Sequence, residues 1–237
     1  MQKVNLNISV VIPTYDEEKR IEGSIKTIEQ YLQDSGFDYE IIVSDDGSTD
    51  KTLSAVRKIM VGNEKIKLVV NEHKGKGGAV RAGILQSSGN LVLFTDADLS
   101  TPIEELDKLK EALDEGCDIA IASRDLPGSK ILKHQSWGRE LLGKFLNRIV
   151  QLLYIPGIFD AQCGFKLFKG KVVRELFSQQ KINGFLFDVE VLYLAGKRGF
   201  KVVEVPVTWK HNEPSKVSIL WDLPKVLWDL INIRFLY

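Results

Sequence analysis

Short runs of β-branched residues alternate with amphipathic helical patterns between residues 8 and 125. The run ISVVIP opens this series, and the helical pattern after it has four apolar residues on one face, Ile21, Ile25, Ile28 and Leu32. Near-continuous apolar strands that alternate with helices indicate a mainly parallel sheet covered on both faces. The sequence therefore predicts an α/β fold with its ligand site beside the carboxyl ends of the strands.

The pattern changes after residue 125, where longer amphipathic helices replace the regular alternation. Residues 126–157 hold a loop and one such helix, and another lies in the last part of the sequence. No linker, repeat or low-complexity tract divides the chain. We therefore predict one domain over residues 1–237, with a ligand-binding half, 1–125, and a half that faces the acceptor or a membrane, 126–237.

Charge and cysteine content exclude several classes of protein. Lys plus Arg and Asp plus Glu each number 32, so the chain lacks the net positive charge typical of nucleic-acid binding. Its two cysteines, Cys117 and Cys163, form no disulfide framework and no zinc-binding pattern, which favours a reducing compartment. The first residues lack the apolar core of a signal peptide, and no apolar run reaches about 18–20 residues. We expect a cytoplasmic protein that binds no nucleic acid and can still touch a membrane.

Two aspartates, Asp96 and Asp98, follow the apolar run NLVLF. If the backbone is still extended there, both carboxylates project to the same side. Neighbouring carboxylates repel each other unless a cation lies between them, and one or two carboxylates with a ligand's phosphates commonly hold Mg²⁺ or Mn²⁺. The alternative is a turn that caps the next helix. Ser100 or Thr101 can supply that cap, with Pro102 at the first helical position, so we favour the metal site.

The segment HKGKGGAVRAG carries the cations Lys74, Lys76 and Arg81 at the predicted start of a helix. A helix N-terminus with nearby cations favours phosphate binding. The segment is not a Walker loop, since Gly77 follows Gly-Lys, and not a dinucleotide fingerprint, since Val80 replaces the third glycine. A plain flexible turn explains these residues as well as a phosphate site does.

A turn is also evident in SDDGSTD, where Asp46, Gly47, Ser48 and Asp50 account for the turn and the following cap. Asp45 directly follows the predicted strand and has no structural task in this interpretation. Its carboxylate is a plausible partner for the edge of a nucleobase. The sequence has no nucleophile elbow and no zinc-protease motif, and its three histidines lie far apart. Together these features indicate a nucleoside diphosphate held through a divalent cation.

Seven stretches in collinear order resemble family 2 glycosyltransferases of the GT-A fold, over almost the full chain. They are VVIPTYDEE, EIIVSDDGSTD, GKGGAVRAG, FTDADLSTP, DAQCGFKLF, FDVEVLYLA and VPVTWKHNEPSKVS. Their order and spacing are similar to the branch that makes polyprenyl-phosphate sugars, which includes the dolichyl-phosphate glucosyltransferases and mannose synthases. DAQCGFKLF together with FDVEVLY is closer to the glucosyl members.

The resemblance implies roles for the matching residues: a nucleoside pocket, contacts to the sugar nucleotide, and cations for the diphosphate and the acceptor phosphate. With the glycine-rich segment, the predicted nucleotide-sugar site consists of Pro13, Tyr15, Glu17, Val43, Asp45, Lys76, Arg81, Asp96, Ala97, Asp98, Arg124, Lys210 and Lys216.

The metal shell departs from one branch of the family at a single position. The resemblance implies that Asp98 binds the metal, beside Asp96. Mannose synthases carry a glutamine ligand two residues after this aspartate, and Ser100 stands there in this chain. The shell, and with it the donor sugar, can therefore differ. We predict Mg²⁺ or Mn²⁺ on Asp96, Asp98 and Ser100.

The predicted reaction moves a hexose, glucose from UDP-glucose in the first instance, onto a polyprenyl or dolichyl phosphate with inversion at the anomeric carbon. The metal and nearby cations would stabilise the departing diphosphate. A phosphate acceptor is already an anion near neutral pH, because its second pKa is about 6, and it needs no general base. Asp98, Arg124 and Asp188 are the predicted catalytic residues.

Two alternatives stay open. A family 2 transferase could use GDP-mannose or act on a saccharide hydroxyl, which would need a base. Asp188 is the candidate base, because Glu190 is explained as an acidic residue near a helix start. The second alternative is a protein that binds nucleotide sugars without catalysis.

The second half of the chain has features of a membrane-facing surface. Between residues 128 and 148 five cations face a single acid, Glu140: Lys130, Lys133, Arg139, Lys144 and Arg148. In the last helix Trp221, Trp228 and Phe235 recur every seven residues beside a polar stripe of Asp222, Lys225, Asp229 and Asn232.

Such a face suits the interface of a bilayer, although the polar stripe is not rich in Lys or Arg. A dimer contact or ordinary core is the alternative. We predict a peripheral protein on the cytoplasmic face of a membrane, with a polyprenyl phosphate lipid as partner and a homo-oligomer as a further expectation.

Overall fold

A computed structural model describes residues 7–133, 148, 150–212 and 219–237, and only the backbone of residues 219–227. The strands are β1 (Asn7–Thr14), β2 (Asp38–Asp45), β3 (Ile66–Val70), β4 (Leu91–Thr95), β5 (Ile119–Ser123), β6 (Lys130–Lys133), β7 (Phe165–Lys169), β8 (Val202–Pro206) and β9 (Thr208–Lys210). The helices are α1 (Ile21–Asp34), α2 (Thr52–Met60), α3 (Lys76–Leu85), α4 (Leu106–Asp114), α5 (Gly170–Gln179), α6 (Phe187–Lys197) and α7 (Ile219–Leu236).

Seven strands form one sheet in the order β3-β2-β1-β4-β7-β5-β8. All neighbouring strands run parallel except β7, which is antiparallel to both β4 and β5. The prediction of a mainly parallel α/β sheet is confirmed. Because β7 and β8 lie after residue 125, strands from both predicted halves of the chain share this sheet.

Helices cover both faces of the sheet, as the continuous apolar strands require. On one face the predicted stripe of α1 is fully buried against alternate residues of β1 and β2. On the other face α3, α5 and α6 bury their apolar residues against the intervening strand positions, Val11 and Ile42 among them. Each large apolar side chain buried in this way stabilises the fold by about 1.5–3 kcal/mol.

The edge at which β1, β2 and β4 end also receives the start of β7. Thr95, the last residue of β4, pairs with Phe165, the first residue of β7. The segment that precedes β7 therefore meets the loop that follows β4. This edge brings the loops after β1, β2 and β4 beside residues 160–164, and it is where the candidate site lies.

The last predicted helix is present as α7. It packs Leu230 and Ile233 into the core on the face of the sheet that α3, α5 and α6 cover. The other amphipathic helix predicted in residues 126–157 falls largely outside the described residues, since 134–147 and 149 are not among them. Within the described part of the chain, every helix is too short or too polar to cross a bilayer.

A buried carboxylate fixes the opposite edge of the sheet. Glu40 is 7% exposed and accepts hydrogen bonds from the Ser9 hydroxyl and from the backbone and hydroxyl of Ser88. Its second oxygen lies 2.6 Å from Lys67 Nζ. Burial would raise the pKa of Glu40, but these hydrogen bonds together outweigh it and lower the pKa from 4.5 to about 2.

Glu40→Gln should lower the free energy of unfolding at pH 7 by about 1–3 kcal/mol, because a buried charged acceptor is lost. The pKa of Glu40 is lower in the folded state than in the unfolded state. The ionised carboxylate therefore stabilises the folded protein fully at pH values above the unfolded-state pKa. The difference between wild type and variant should therefore shrink as the pH falls from about 4.5 to 2. Denaturant unfolding at several pH values measures it. Glu22→Gln, which breaks an exposed pair with Lys26, is the control and should change little. A difference independent of pH would contradict the prediction.

Candidate functional site

Asp96 lies at the centre of the site, directly after β4. Its backbone N–H donates to the carbonyl of Gly164, 3.1 Å away, and its Oδ1 lies 2.7 Å from Lys76 Nζ. A Cβ on Gly164 would stand only 2.0 Å from Asp96 Oδ2. Gly164 is therefore required so that this carboxylate can occupy its position beside the start of β7.

Lys76 is the first residue of α3, and glycines surround it. Gly75 adopts φ +113°, a conformation that favours glycine. A Cβ on Gly77 would stand 2.6 Å from Phe187 Cβ and 2.7 Å from the carbonyl of Ile182. Burial alone would lower the pKa of Lys76, but the surrounding carboxylates, Asp96 first, outweigh burial and raise it. The lysine is a permanent cation that faces the aspartates.

Asp98 lies in a tight turn beside this pair. Its Oδ1 accepts the N–H of Ser100 at 2.9 Å, and its carbonyl accepts Asn212 Nδ2 at 2.8 Å. Leu99, between Asp98 and Ser100, has a φ of +46°, which is rare for a residue with a bulky side chain. Burial, together with the carboxylate of Asp96, raises the pKa of Asp98. The two predicted carboxylates are close enough to interact, as expected.

The predicted helix cap after this turn is wrong. The short 3₁₀ helix Ile103–Glu105 follows Pro102 and has no side-chain cap, and α4 begins only at Leu106. Ser100 instead hydrogen-bonds to Asp98, and Thr101 Oγ1 lies 3.7 Å from Cys163 Sγ. Asp98 thus forms this turn itself, so the turn does not exclude a metal ion there, and a metal ion on Asp98 stays a prediction.

A second buried ion pair adjoins the first and was missed from sequence. Lys166 on β7 is 2% exposed, and its Nζ lies 2.6 Å from Asp188 Oδ1 and 2.6 Å from the carbonyl of Cys163. Lys166 and Lys76 both lie near the Phe94 ring, at 5.5 and 5.4 Å from its centroid. The signal for it in the sequence is Lys166, which stands between the apolar residues Phe165 and Leu167 in FKLFK.

The two acids of α6 point to different surroundings. Asp188 interacts with the site cations, and burial raises its pKa although Lys166 and Lys76 partly oppose the shift. Glu190 is fully buried and accepts the N–H groups of Lys181 and Ile182 at 2.8 and 2.9 Å. Glu190 thus has a structural role, as expected, and the catalytic role of Asp188 stays a prediction.

The structural argument for Asp45 is wrong. Asp45 is fully buried and is itself the turn acceptor, since its Oδ1 binds the N–H groups of Gly47 and Ser48 at 3.0 and 2.8 Å. The adjacent Asp46, which is predicted to form the turn, instead accepts the N–H groups of Lys74 and Gly75 with its carboxylate. It thereby fixes the loop that leads to Lys76.

Only some of the residues predicted to line the nucleoside pocket are exposed at the edge of the sheet where the candidate site lies. Tyr15 stacks on His73, with ring centroids 4.5 Å apart, and His73 Nδ1 lies 2.9 Å from Asp46 Oδ2. Glu17 is half-buried, and its Oε2 lies 2.7 Å from Arg20 Nε. In contrast, Val43 lies inside β2 and its side chain is buried in the core against α1, so it has no exposed surface for a ligand.

Pro13 and Ala97 border this region through the backbone. Pro13 is the penultimate residue of β1 and is buried. Ala97 is 6% exposed, and its carbonyl accepts the Ser24 hydroxyl at 2.5 Å. A ligand contact from either residue stays a prediction.

Arg81 does not belong to the site, which corrects the prediction. Its Nε donates to the carbonyl of Phe177 at 3.0 Å, near the end of α5. A cation is favourable there because the last carbonyls of a helix lack partners. Arg81 lies five residues beyond Lys76 along α3, and so it faces the neighbouring helix instead of the loop edge.

Arg124 forms a third ion pair, with Asp160, which sequence reasoning also missed. Its Nε and Nη2 each lie 2.7 Å from an Asp160 oxygen, and the guanidinium is 5.3 Å from the Trp209 ring. Burial would raise the pKa of Asp160, but Arg124 outweighs burial and lowers it. The arginine is 25% exposed, so one side of it remains accessible.

The remaining predicted phosphate contacts lie on β9 and beyond it. Lys210 is exposed, and its backbone N–H donates to the carbonyl of Ser100 at 2.8 Å. This hydrogen bond ties β9 to the aspartate turn. Lys216 lies outside the described residues.

The acidic residues fit a shared cation site and do not form a complete one. No group of three or more His, Cys, Asp or Glu residues able to hold a metal ion occurs among the described residues. A divalent ion at Asp96 and Asp98 would therefore depend on oxygen atoms of a bound ligand. Mg²⁺ and Mn²⁺ are commonly held in this way, by one or two carboxylates and substrate phosphates.

Comparison with known proteins decides the family. Residues 9–177 match the description "Glycosyl transferase family 2". The chain belongs to glycosyl transferase family 2. Its family resemblance and its GT-A fold, both predicted from sequence, are confirmed for this glycosyltransferase.

Relatives that match nearly the whole of this chain include the "Dolichyl-phosphate beta-glucosyltransferase" of Homo sapiens, 35% identical over 97% of this chain and 75% of the relative. The protein of the same name from Saccharomyces cerevisiae is 32% identical over 97% of this chain and 75% of its own length.

Solved structures show the same fold. Glucosyl-3-phosphoglycerate synthase from Mycobacterium tuberculosis in complex with UDP superposes with a TM-score of 0.72 at 23% identity, covering 98% of this chain and 81% of that one. Its complex with Mn²⁺ and UDP-glucose gives 0.71 at 21% identity, covering 98% and 80%.

Gly164→Ala should displace the Asp96 carboxylate, because the added Cβ would stand 2.0 Å from its oxygen. Overpacking of this kind costs about 1–3 kcal/mol. Equilibrium unfolding and a crystal structure of the variant measure the cost and the displacement. Gly196→Ala, in α6, is the control, since its added Cβ would meet no atom within 4 Å beyond its chain neighbours and the backbone of its own helix. Equal stability of both variants would show that Asp96 does not need this glycine.

Proposed function

We propose that this family 2 glycosyltransferase moves glucose from UDP-glucose onto a polyprenyl phosphate, with dolichyl phosphate as the first candidate acceptor. The observation that carries the proposal is the similarity to the dolichyl-phosphate beta-glucosyltransferases over nearly the whole chain. The charge cluster at the sheet edge supports it, since it offers both carboxylates for a cation and a fixed ammonium for a diphosphate.

Asp96 and Asp98 would hold the divalent cation, Mg²⁺ or Mn²⁺, with Ser100 beside them. When bound, such a cation neutralises charge on the departing diphosphate. Lys76 supplies a second positive charge at the same place, in a partly buried setting where it acts more strongly than in water. Asp46 and the glycines fix the loop that presents it.

The acceptor attacks the anomeric carbon on the face opposite the leaving diphosphate, which inverts an α-linked donor to a β-linked product. The oxygen of a phosphate monoester already carries negative charge near neutral pH. It attacks without losing a proton to the protein. The exposed side of Arg124 and the exposed Lys210 are the proposed contacts for the acceptor phosphate.

A hydroxyl acceptor is less well supported by the site. Its proton would have to reach a free base, and Asp188 is the candidate. The Asp188 carboxylate is 5% exposed and is held by the Lys166 ammonium at 2.6 Å. An acid that neutralises a buried lysine is better suited to positioning charge than to accepting a proton.

We also propose that α7 lies on a membrane surface, as the lipid acceptor requires. Trp228, Ile231 and Phe235 are 67%, 57% and 81% exposed and fall on one side of the helix. The side chains of Trp221, Asp222 and Lys225 lie outside the described residues. Leu152 and Leu153 are further exposed apolar residues in the same half of the chain. The cytoplasmic face and a homo-oligomer stay predictions.

Purified protein should transfer label from UDP-glucose to polyprenyl phosphate in detergent, only with a divalent cation present, and GDP-mannose should be a poor donor. Asp98→Asn should lower transfer by about a hundredfold or more, because charge that stabilises the leaving group is lost while the turn to Ser100 is kept. Asp114→Asn, at an exposed pair on α4, is the control. Transfer from GDP-mannose alone, or none to lipid phosphate, would overturn the proposal.

Replacing Trp228 and Phe235 together by serine should weaken binding to phosphatidylcholine vesicles by at least tenfold. Each large apolar side chain removed from water stabilises the bound state by about 1.5–3 kcal/mol. Vesicle sedimentation measures the change. Val61→Ser, at an 83% exposed position after α2, should bind as wild type does. Unchanged vesicle binding with loss of self-association would support the dimer contact instead.

A further inference from the structure

The segment 180–184, between α5 and α6, lies directly against the glycine-rich turn that presents Lys76. Gly78 N–H donates to the carbonyl of Asn183 at 3.2 Å. Gln180 Nε2 donates to the carbonyl of Gly77 at 2.9 Å. Both polar groups of the Gly77–Gly78 peptide, directly after Lys76, are therefore hydrogen-bonded to the segment.

Close packing leaves no room between the two. A Cβ on Gly75 would stand 2.6 Å from the carbonyl oxygen of Asn183, and one on Gly77 would stand 2.7 Å from that of Ile182. Contacts this close transmit a displacement instead of absorbing it, because protein interiors are densely packed and have low compressibility. The position of the Lys76 ammonium thus depends on the position of segment 180–184.

Glu190 holds the other side of this segment. It is fully buried, and its two oxygens accept the N–H groups of Lys181 and Ile182 at 2.8 and 2.9 Å. The Tyr237 hydroxyl lies 2.5 Å from Glu190 Oε1 and 2.6 Å from the carbonyl of Gln179. Burial, followed by Glu190, raises the pKa of Tyr237, so the hydroxyl keeps its proton and donates it.

We propose that Tyr237 and Glu190 are positioning residues for the donor diphosphate. They fix segment 180–184, the segment fixes the glycine-rich turn, and the turn places Lys76. The inference rests on the proposed function, in which Lys76 contacts the diphosphate. It adds that Tyr237, after the helix whose outer face we place on the membrane, contributes to donor affinity without touching the donor.

A second tyrosine separates this role from simple attachment of α7. The Tyr154 hydroxyl donates to the carbonyl of Leu230 at 2.6 Å and so also fastens α7 to the rest of the protein. This hydrogen bond reaches neither Glu190 nor segment 180–184. Tyr154→Phe and Tyr237→Phe each remove one hydroxyl that anchors the same helix, and only the second removes a donor to Glu190.

The test is calorimetric binding of UDP with Mn²⁺ to wild type, Tyr237→Phe and Tyr154→Phe. Tyr237→Phe should weaken UDP binding by roughly threefold to tenfold, less than the full loss expected for one hydrogen bond to a charged group, because the effect reaches Lys76 only through segment 180–184. Tyr154→Phe should bind UDP as wild type does. In transfer assays the KM for UDP-glucose should rise in Tyr237→Phe while the KM for polyprenyl phosphate stays unchanged.

Amide hydrogen exchange in segment 180–184 and in the glycine-rich turn is a measurement that loosening of α7 alone would not change. In Tyr237→Phe the amides of Lys181, Ile182 and Gly78 should exchange faster, whereas Tyr154→Phe should change exchange only in α7 and around it. Equal UDP affinity for wild type and Tyr237→Phe, or equal losses in both variants, would overturn the inference. Failure of the wild-type protein to bind UDP would overturn the proposed function itself, so the two failures are distinguishable.

Discussion

The ion pair between Lys76 and Asp96 is the interaction on which the rest of the site depends. A partly buried carboxylate and ammonium are expensive to desolvate, and their mutual attraction offsets part of that cost. Around them lie Asp98 and the second pair, Lys166 with Asp188. Three acids and two lysines thus leave one negative charge in excess at the sheet edge. In the proposed function this excess attracts the divalent cation, and the fixed lysine remains for the phosphates of the donor.

Backbone features that look unrelated along the chain serve this cluster. Gly164 leaves space for Asp96 just before β7. Gly77 lets the start of α3 approach segment 180–184 closely. Leu99 accepts an unfavourable φ, which closes the turn at Asp98. The strained backbone of Leu99 and the glycines, which contribute no side chain to the core, are tolerated here because close packing elsewhere stabilises the fold. The apolar residues of α1 on one face and of α5 and α6 on the other supply that packing.

The sheet and the position of the site could be predicted because both follow from local patterns. Continuous apolar runs indicate parallel strands, and acids directly after them indicate the ligand edge. Partners distant in sequence could not be predicted. Arg81 is drawn to the end of α5, 96 residues away, and Asp160 and Lys166 meet their partners only because β7 inserts between β4 and β5. The sequence assigns the turn to Asp46, but Asp45 is the turn acceptor and Asp46 anchors the next loop, because adjacent aspartates carry no sequence signal that tells these tasks apart.

The same arrangement argues for the class of acceptor. A transferase that acts on a hydroxyl needs an acid free to take a proton, whereas every acid of the central cluster already faces a cation or a backbone N–H group. A phosphate monoester brings its own negative charge and makes the opposite demand, for cations with an accessible side. Arg124, braced by Asp160 yet open on one side, and the exposed Lys210 meet that demand. The accessible cations thus favour an anionic acceptor, and the exposed apolar face of α7 favours one carried by lipid.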